Sequence, residues 1–169
     1  QEGKSLKFMK KKFPSLFPGI KLFTNDLLVM DYIPNNNIKT KKSLSELAKA
    51  ISKIHLTKNK RYGFEYDTQI GGIKQPNIYS DNWLTFFREN RINMIFEKIN
   101  KKDPMPKTIN RKIEKLINKL GNYIPSNPNI SLLHGDLWEG NILFFNGTLT
   151  AHLPLSNSST TTFVLAPNC

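Results

Sequence analysis

Two short, mostly apolar runs, Ile130 to Leu133 and Ile142 to Phe145, stand eight residues apart, and the second leads directly into Asn146-Gly147. Short apolar runs bounded by turn residues read as strands, and Asn-Gly is the strongest two-residue hairpin signal. Thr148 to Thr150 then begins the returning strand. The loop between the first two strands is His134-Gly135-Asp136-Leu137-Trp138-Glu139-Gly140-Asn141. Its two ends are therefore anchored, and whatever it carries is presented from a fixed frame.

What it carries is one carboxylate five positions before one carboxamide. In phosphoryl transfer a protein makes few covalent changes: it orients a hydroxyl, holds magnesium on the phosphates and neutralises developing charge. A carboxylate facing a hydroxyl can accept its proton as the bond to phosphorus forms. A carboxamide oxygen is a hard, uncharged ligand suited to Mg²⁺. The spacing matches the kinase catalytic-loop pattern His-x-Asp-Leu-x-x-x-Asn. The plainer reading has Asp136 capping a turn and Asn141 starting a strand, and for an isolated Asp-x₄-Asn it would prevail. The flanking strands, His134, Gly135 and Gly140 favour the kinase-type loop.

Upstream, Gly3 to Lys12 suits a short helix with Leu6 and Met9 on one side and Phe13 at its end. Ile20 to Phe23 and Leu27 to Tyr32 read as two strands joined by Thr24-Asn25-Asp26. Pro34-Asn35-Asn36-Asn37 is a polar break. A helix follows, capped by Ser43 or Ser45, with Leu44, Leu47, Ala48, Ile51 and Ile54 as its apolar stripe. His55 at its end reads as a packed or solvated histidine, since no partner histidine lies nearby in sequence. Residues 56–80 show little periodicity, which predicts either a mobile stretch or part of a binding site. Asp81 or Asn82 opens a helix running to about Asn100, its aromatics serving the core. A third helix is predicted from Lys107 to Leu120, with Ile109, Ile113, Leu116, Ile117 and Leu120 inward and Gly121 as its stop.

Composition excludes several classes. The chain is 38% hydrophobic and 22% charged, an ordinary globular balance,. No apolar run approaches the roughly 18 residues of a membrane span. The single cysteine, Cys169, rules out a disulfide framework, and a reducing cytoplasm is the simplest compartment,. The net charge of +12 invites a phosphate-rich partner,. Yet Lys outnumbers Arg 21 to 4, beside 19 Asn and 17 Ile, the residues an AT-rich genome overproduces. Base and phosphate recognition leans on Arg, so a nucleic-acid partner is disfavoured.

Leu132-Leu133-His134-Gly135-Asp136-Leu137-Trp138-Glu139-Gly140-Asn141 closely resembles the catalytic loop of the fructosamine kinase family, within the aminoglycoside and choline kinase-like phosphotransferases. A second block agrees: Tyr62-Gly63-Phe64, then Ile70-Gly71-Gly72-x-x-Gln75-x-Asn77, then Trp83-x-x-Phe86-Phe87-x-x-x-Arg91. The resemblance covers roughly Glu2 to Thr150. It implies a protein kinase-like α+β fold, mostly the helical C-terminal lobe. Residues 1–33 would be an N-lobe remnant, 34–42 the hinge, 43–150 the C-lobe and 151–169 an atypical tail. It further implies ATP and Mg²⁺ as cofactors and a small-molecule or protein-bound ketosamine as substrate. Asp136 would be the base and Asn141 the magnesium ligand. Trp138 would line the sugar site, with loop packing as its other role. Backbone groups near Asp31 and Ile33 would meet adenine, and Glu2 would pair with the phosphate-binding lysine.

Departures from the pattern carry their own expectations. Only Gln1 precedes Glu2, so the glycine-rich loop and its lysine are missing, and a piece of a longer chain is expected. A second metal carboxylate should follow within a few residues of Thr150, where the chain reads Ala151-His152-Leu153-Pro154. Glu139 is the last charged residue, and His152 is a poor substitute, because a neutral imidazole suits magnesium badly. The chain by itself is therefore expected to have little or no kinase activity. The alternatives are another small-molecule kinase of the same superfamily, or a non-catalytic remnant. With so little of the small lobe, the first two strands should show unpaired edges and an exposed apolar face.

Overall fold

The computed structural model describes residues 2–70, 73–135, 137–152 and 164–167. Helix α1 (Glu2–Lys12) leads into a hairpin of β1 (Ile20–Phe23) and β2 (Leu28–Met30), paired antiparallel with an irregularity between Ile20 and Leu22. Strand β2 is shorter than the predicted Leu27–Tyr32. Thr24 explains one end: its N–H and hydroxyl both meet the Leu27 carbonyl, and its Oγ1 accepts from the Asp26 and Leu27 amides, which turns the chain at Leu27.

Leu6, Met9, Phe13 and Phe17 pack with Ile54, Phe64 and Leu132 into the main core. Leu6 and Met9 are wholly buried, each contributing about 1.5–3 kcal/mol. Helix α1 is thus seated on the rest of the chain by its apolar side. The β1–β2 hairpin is less well covered, with Leu22, Leu27 and Val29 exposed, and among the described residues each of its strands pairs only with the other. This is the exposed apolar face expected above.

Helix α2 (Lys41–His55) starts earlier than predicted because Thr40 is its cap. Thr40 Oγ1 accepts from the Ser43 amide while Ser43 Oγ accepts from the Thr40 amide, a reciprocal box that outranks either serine acting alone,. The buried face is Ser43, Ala50 and Ile54, and Leu44 faces solvent. Of the predicted stripe, Ile54 is buried and Leu47 and Ile51 are half-buried, while Leu44 and Ala48 are exposed and Ser43 and Ala50 take the inward places, since neighbouring elements select the face.

The stretch from 56 to 80 is not irregular. Strands β3 (Thr68–Ile70) and β4 (Ile73–Gln75) pair antiparallel, and Tyr62 bridges to Ser80. Three-residue strands are too short for a periodic signal. Asn82 caps α3 (Trp83–Phe87), which widens into a π-helical turn over Arg88–Asn93 before α4 (Met94–Lys102). The wide turn rotates Arg91 inward, where it is buried over the Phe86 ring at 4.7 Å. One guanidinium nitrogen donates to the Pro76 and Asn90 carbonyls at 2.7 Å, the other to Asn77 Oδ1 at 2.6 Å. The Asn77 amide nitrogen continues to the Tyr66 carbonyl and Thr68 Oγ1, each at 3.0 Å. Two motif residues fourteen positions apart thereby fasten the β3–β4 hairpin to the helix.

Helix α5 (Lys107–Asn118) ends in a 3₁₀ turn at Leu120–Asn122. Ile117 and Leu120 are buried as predicted, whereas Ile109 and Leu116 are exposed. Strand β5 (Ile130–Leu133), a 3₁₀ turn (Glu139–Asn141), β6 (Ile142–Phe145) and β7 (Thr148–His152) complete the predicted loop-and-hairpin frame, with β7 starting at Thr148 as expected and running on to His152. Asn146 and Gly147 both adopt positive φ, 49° and 75°, the conformation a two-residue turn of this hand requires. The tail, which shows no pattern in sequence, supplies β8 (Val164–Pro167), paired antiparallel with β5 in register Ile130 to Pro167.

Candidate active site

The loop 134–141 leaves β5 and returns as β6, and its frame is tied down on both sides. The Leu132 amide donates to the Thr57 carbonyl at 2.9 Å, and Lys58 Nζ donates to the buried Ser131 Oγ at 3.1 Å. His134 is buried, its ring stacked on Phe17 at 6.1 Å and 16°. A core aromatic following α1 therefore fixes the first residue of the loop. Gly135 has φ +82°, where a side chain would be strained. Asp136, the predicted base, lies outside the described residues.

Beyond it, Leu137 and Trp138 are exposed, Trp138 at 54%. The Trp138 indole lies against Gly140, where a Cβ would come within 2.4 Å of the ring. A side chain at position 140 would therefore displace the indole from this place. The Asn141 amide donates to the Trp138 carbonyl at 3.0 Å, closing the 3₁₀ turn, and Asn141 is completely buried. The turn therefore holds one buried carboxamide and one exposed indole three positions apart. The first is suited to a fixed, desolvated polar contact, the second to an apolar surface open to solvent.

The segment after β2 is stitched to this hairpin. The Asn36 and Asn37 amides donate to the Phe144 carbonyl at 2.9 and 3.1 Å. Asn36 Nδ2 donates to Asn146 Oδ1 at 2.8 Å while Asn36 Oδ1 accepts from the Asn146 amide at 3.1 Å. Gly147 donates to the Ile38 carbonyl, and Thr40 Oγ1 donates to the Gly147 carbonyl at 2.9 Å. Lys39 pairs with Glu139 beside the Phe144 ring, and that contact lowers the Glu139 carboxyl below its ordinary range. None of these partners was foreseen. They are about a hundred positions apart, and only Asn146-Gly147 carried a local signal.

The other predicted residues fall as follows. Glu2 opens α1, and the first turn of that helix lies against β1, for a Cβ on Gly3 would meet the Phe23 ring at 2.3 Å. Asp31 sits just past β2. Its amide donates to the Gly19 carbonyl, and its carboxylate accepts from the Gly19 amide at 2.8 Å and pairs with Lys21 at 2.9 Å. The lysine first, then the amide, hold this carboxyl below its usual range. The Asp31 side chain and N–H thus close their own hairpin. The Ile33 carbonyl accepts from Asn35 Nδ2 at 3.2 Å. Trp138 and Asn141 are brought together on one turn. Asp31 and Ile33 lie on the segment that leads to the Asn36–Asn146 seam.

The donor set bears on metal binding. Among the described residues no group of three His, Cys, Asp or Glu side chains converges, and no acidic residue follows Glu139 in sequence. Asn141 alone does not make a magnesium site.

The chain is mixed helix and strand, and its loop between two short strands carries His-Gly-Asp in sequence and ends in a buried Asn. It belongs to the fructosamine kinase family, whose model matches residues 4–153. A "Probable ketoamine kinase" of Vibrio cholerae serotype O1 is 32% identical over 128 residues, covering 75% of this chain and 43% of that protein. "Probable ketoamine kinase YniA" of Escherichia coli K12 is 32% identical over 115 residues, covering 68% and 39%. A crystal structure from Haemophilus somnus 129PT, assigned as a fructosamine-3-kinase, superimposes with a TM-score of 0.72 at 25% identity over 90% of this chain and 52% of that one. Another, from Thermobifida fusca, gives 0.77 at 20% over 95% and 54%, a likeness of fold. The chain spans about half the length of the curated relatives it matches. No helix among the described residues is long and apolar enough to cross a membrane.

Proposed function

We propose that this chain carries the acceptor-side part of an ATP-dependent kinase acting on a ketosamine, a fructosamine or ribulosamine. The observation that carries the reading is the loop 134–141. Its ends are anchored in β5 and β6, its histidine is locked on Phe17, and its Asn141 is buried whole within the turn. In this reading Asp136 accepts the proton of the sugar hydroxyl while that oxygen bonds to the terminal phosphorus and the bond to the ADP oxygen breaks. Trp138 offers its indole to the apolar face of the sugar. Asn141 supplies one oxygen donor, and magnesium, when bound, would neutralise the phosphates. Among the described residues no cluster of His, Cys, Asp or Glu joins Asn141 to complete such a site. Residues 1–33 and 43–150 take the places of the small-lobe remnant and the large lobe. Residues 34–42 form the connection between them, with backbone near Asp31 and Ile33 facing adenine and Glu2 facing a phosphate-binding lysine.

The test is a transplant. Residues 130–150 replace the matching segment of the Escherichia coli relative, and ADP release is followed with fructosamine or ribulosamine as acceptor. The graft should retain ketosamine-dependent turnover, and Asp136→Asn within it should lower kcat by about a thousandfold or more. A graft that is folded but equally active with and without Asp136 would refute the assignment. The 169-residue chain alone should show turnover at least about a hundredfold below the relative, because it lacks the second metal carboxylate. A rate close to that of the relative would remove that expectation.

A further inference from the structure

Helix α1 has a second face that the kinase reading does not use. Leu6, Met9 and Phe13 point into the core, while Lys4, Lys7, Lys11 and Lys12 line an open cleft of about 780 Å³ with Phe8 and Tyr66 in its wall. Glu65 is the one acidic side chain in that lining. The cleft shares Phe8, Lys12 and Glu65 with a smaller cavity of about 210 Å³ that extends it to Lys58 and Tyr79. Among the described residues none of the four helix lysines enters an ion pair. Like charges this close on one helix side repel one another and cost stability, so their mutual field favours any anion that enters.

We propose that this cleft docks a short acidic helical segment of a partner protein, carrying one apolar side chain among its carboxylates. Charge complementarity argues for the acid, and the aromatic wall argues for the apolar anchor. Spacing argues for a helix: Lys4, Lys7 and Lys11 follow i, i+3, i+7 over about 10 Å of helix, matched by carboxylates at the same interval on a second helix. Phe8 and Tyr66 each meet Phe64 in a T-shaped pair, at 5.1 and 4.8 Å. Base and phosphate recognition leans on the planar guanidinium, and the larger cleft is lined by lysine without arginine,.

The experiment measures fluorescence anisotropy of a labelled helical peptide with Glu at i, i+3 and i+7 around one Leu, using the 169-residue chain. Salt is set at about 50 mM and again at about 300 mM to vary screening. Lys7→Glu with Lys11→Glu should weaken binding about tenfold or more. Lys112→Glu with Lys115→Glu, exposed on α5 and equal in net charge, should change it less than about twofold. Replacing the peptide Leu by Ser should weaken binding severalfold, and Lys7→Gln with Lys11→Gln should give an intermediate loss. Far-UV circular dichroism confirms that each variant folds. Equal weakening by both lysine pairs would reduce the effect to diffuse attraction and overturn the proposal. So would an absence of binding, or tighter, Lys7- and Lys11-dependent binding of an oligothymidylate of equal charge.

Discussion

Replacing Asn77 by Ala should cost about 3–5 kcal/mol of folding stability. Asn77 is buried, and its side chain joins β3 and the residue Tyr66 just before it to the π-helical turn. Its Oδ1 accepts from Arg91 at 2.6 Å, and its Nδ2 donates to the Tyr66 carbonyl and to Thr68 Oγ1. Burial pulls the Arg91 guanidinium down to about 10, so it is still charged at neutral pH. A hydrogen bond to a charged group contributes about 1.5–3 kcal/mol and each neutral one about 1 kcal/mol. Alanine removes all three and leaves part of a buried charge without its acceptor, while Arg91 keeps the Pro76 and Asn90 carbonyls. Urea unfolding followed by circular dichroism should show the midpoint falling by about 2 M. Asn77→Asp keeps an acceptor for Arg91 and should recover part of the loss, although it cannot donate to Tyr66 or Thr68. A midpoint shift below about 0.5 M for alanine, or an aspartate variant no better than alanine, would refute the reasoning. The buried arginine would then be held by the carbonyls alone.

Thr40→Val should destabilise the protein by about 1–2 kcal/mol, and Thr40→Ser should restore most of it. Valine keeps the methyl group but loses both the α2 cap and the bond to the Gly147 carbonyl; thermal melts compare the two. Gly140→Ala drives a Cβ into the Trp138 ring, so it should shift the emission contributed by Trp138 and cost about 1–3 kcal/mol. An unchanged spectrum and midpoint would show that the indole moves away freely. Burial, then Lys58, lowers His55 below 6.5. The unfolded state therefore binds its proton more tightly, and stability should rise with pH up to about 6.5 and fall below it. In His55→Gln, urea midpoints taken from pH 7 to pH 5 should fall less steeply than in the parent, and an identical slope would contradict this.

Much of the frame was written in local sequence. The helix beginning near Gly3, the strands at 20–23, 130–133 and 142–145, and the Asn146-Gly147 turn are each set by a run of neighbours: a periodic apolar side, a short and mostly apolar stretch, a residue pair that tolerates positive φ. The loop 134–141 was legible for the same reason, since its residues are contiguous and their chemical types suffice to mark it. Its family followed from those residues and from the spaced block ending at Arg91.

What local sequence did not hold is whatever depends on which distant surface arrives. Thr40 became the cap of α2 because its hydroxyl also reaches Gly147, a hundred and seven positions away. Leu44 turned outward because Ser43, Ala50 and Ile54 face the elements that pack on α2. The β3–β4 pair is fastened to the helix through Asn77 and Arg91, fourteen positions apart, and three-residue strands have too few side chains to announce themselves. Periodicity and propensity add up along the chain, but a hydrogen bond or a packed ring pays its entropy only when both partners are already placed. That placement is decided by tertiary structure, and so are the Asn36–Asn146 seam, the Lys39–Glu139 pair and the lysine-lined cleft beside α1.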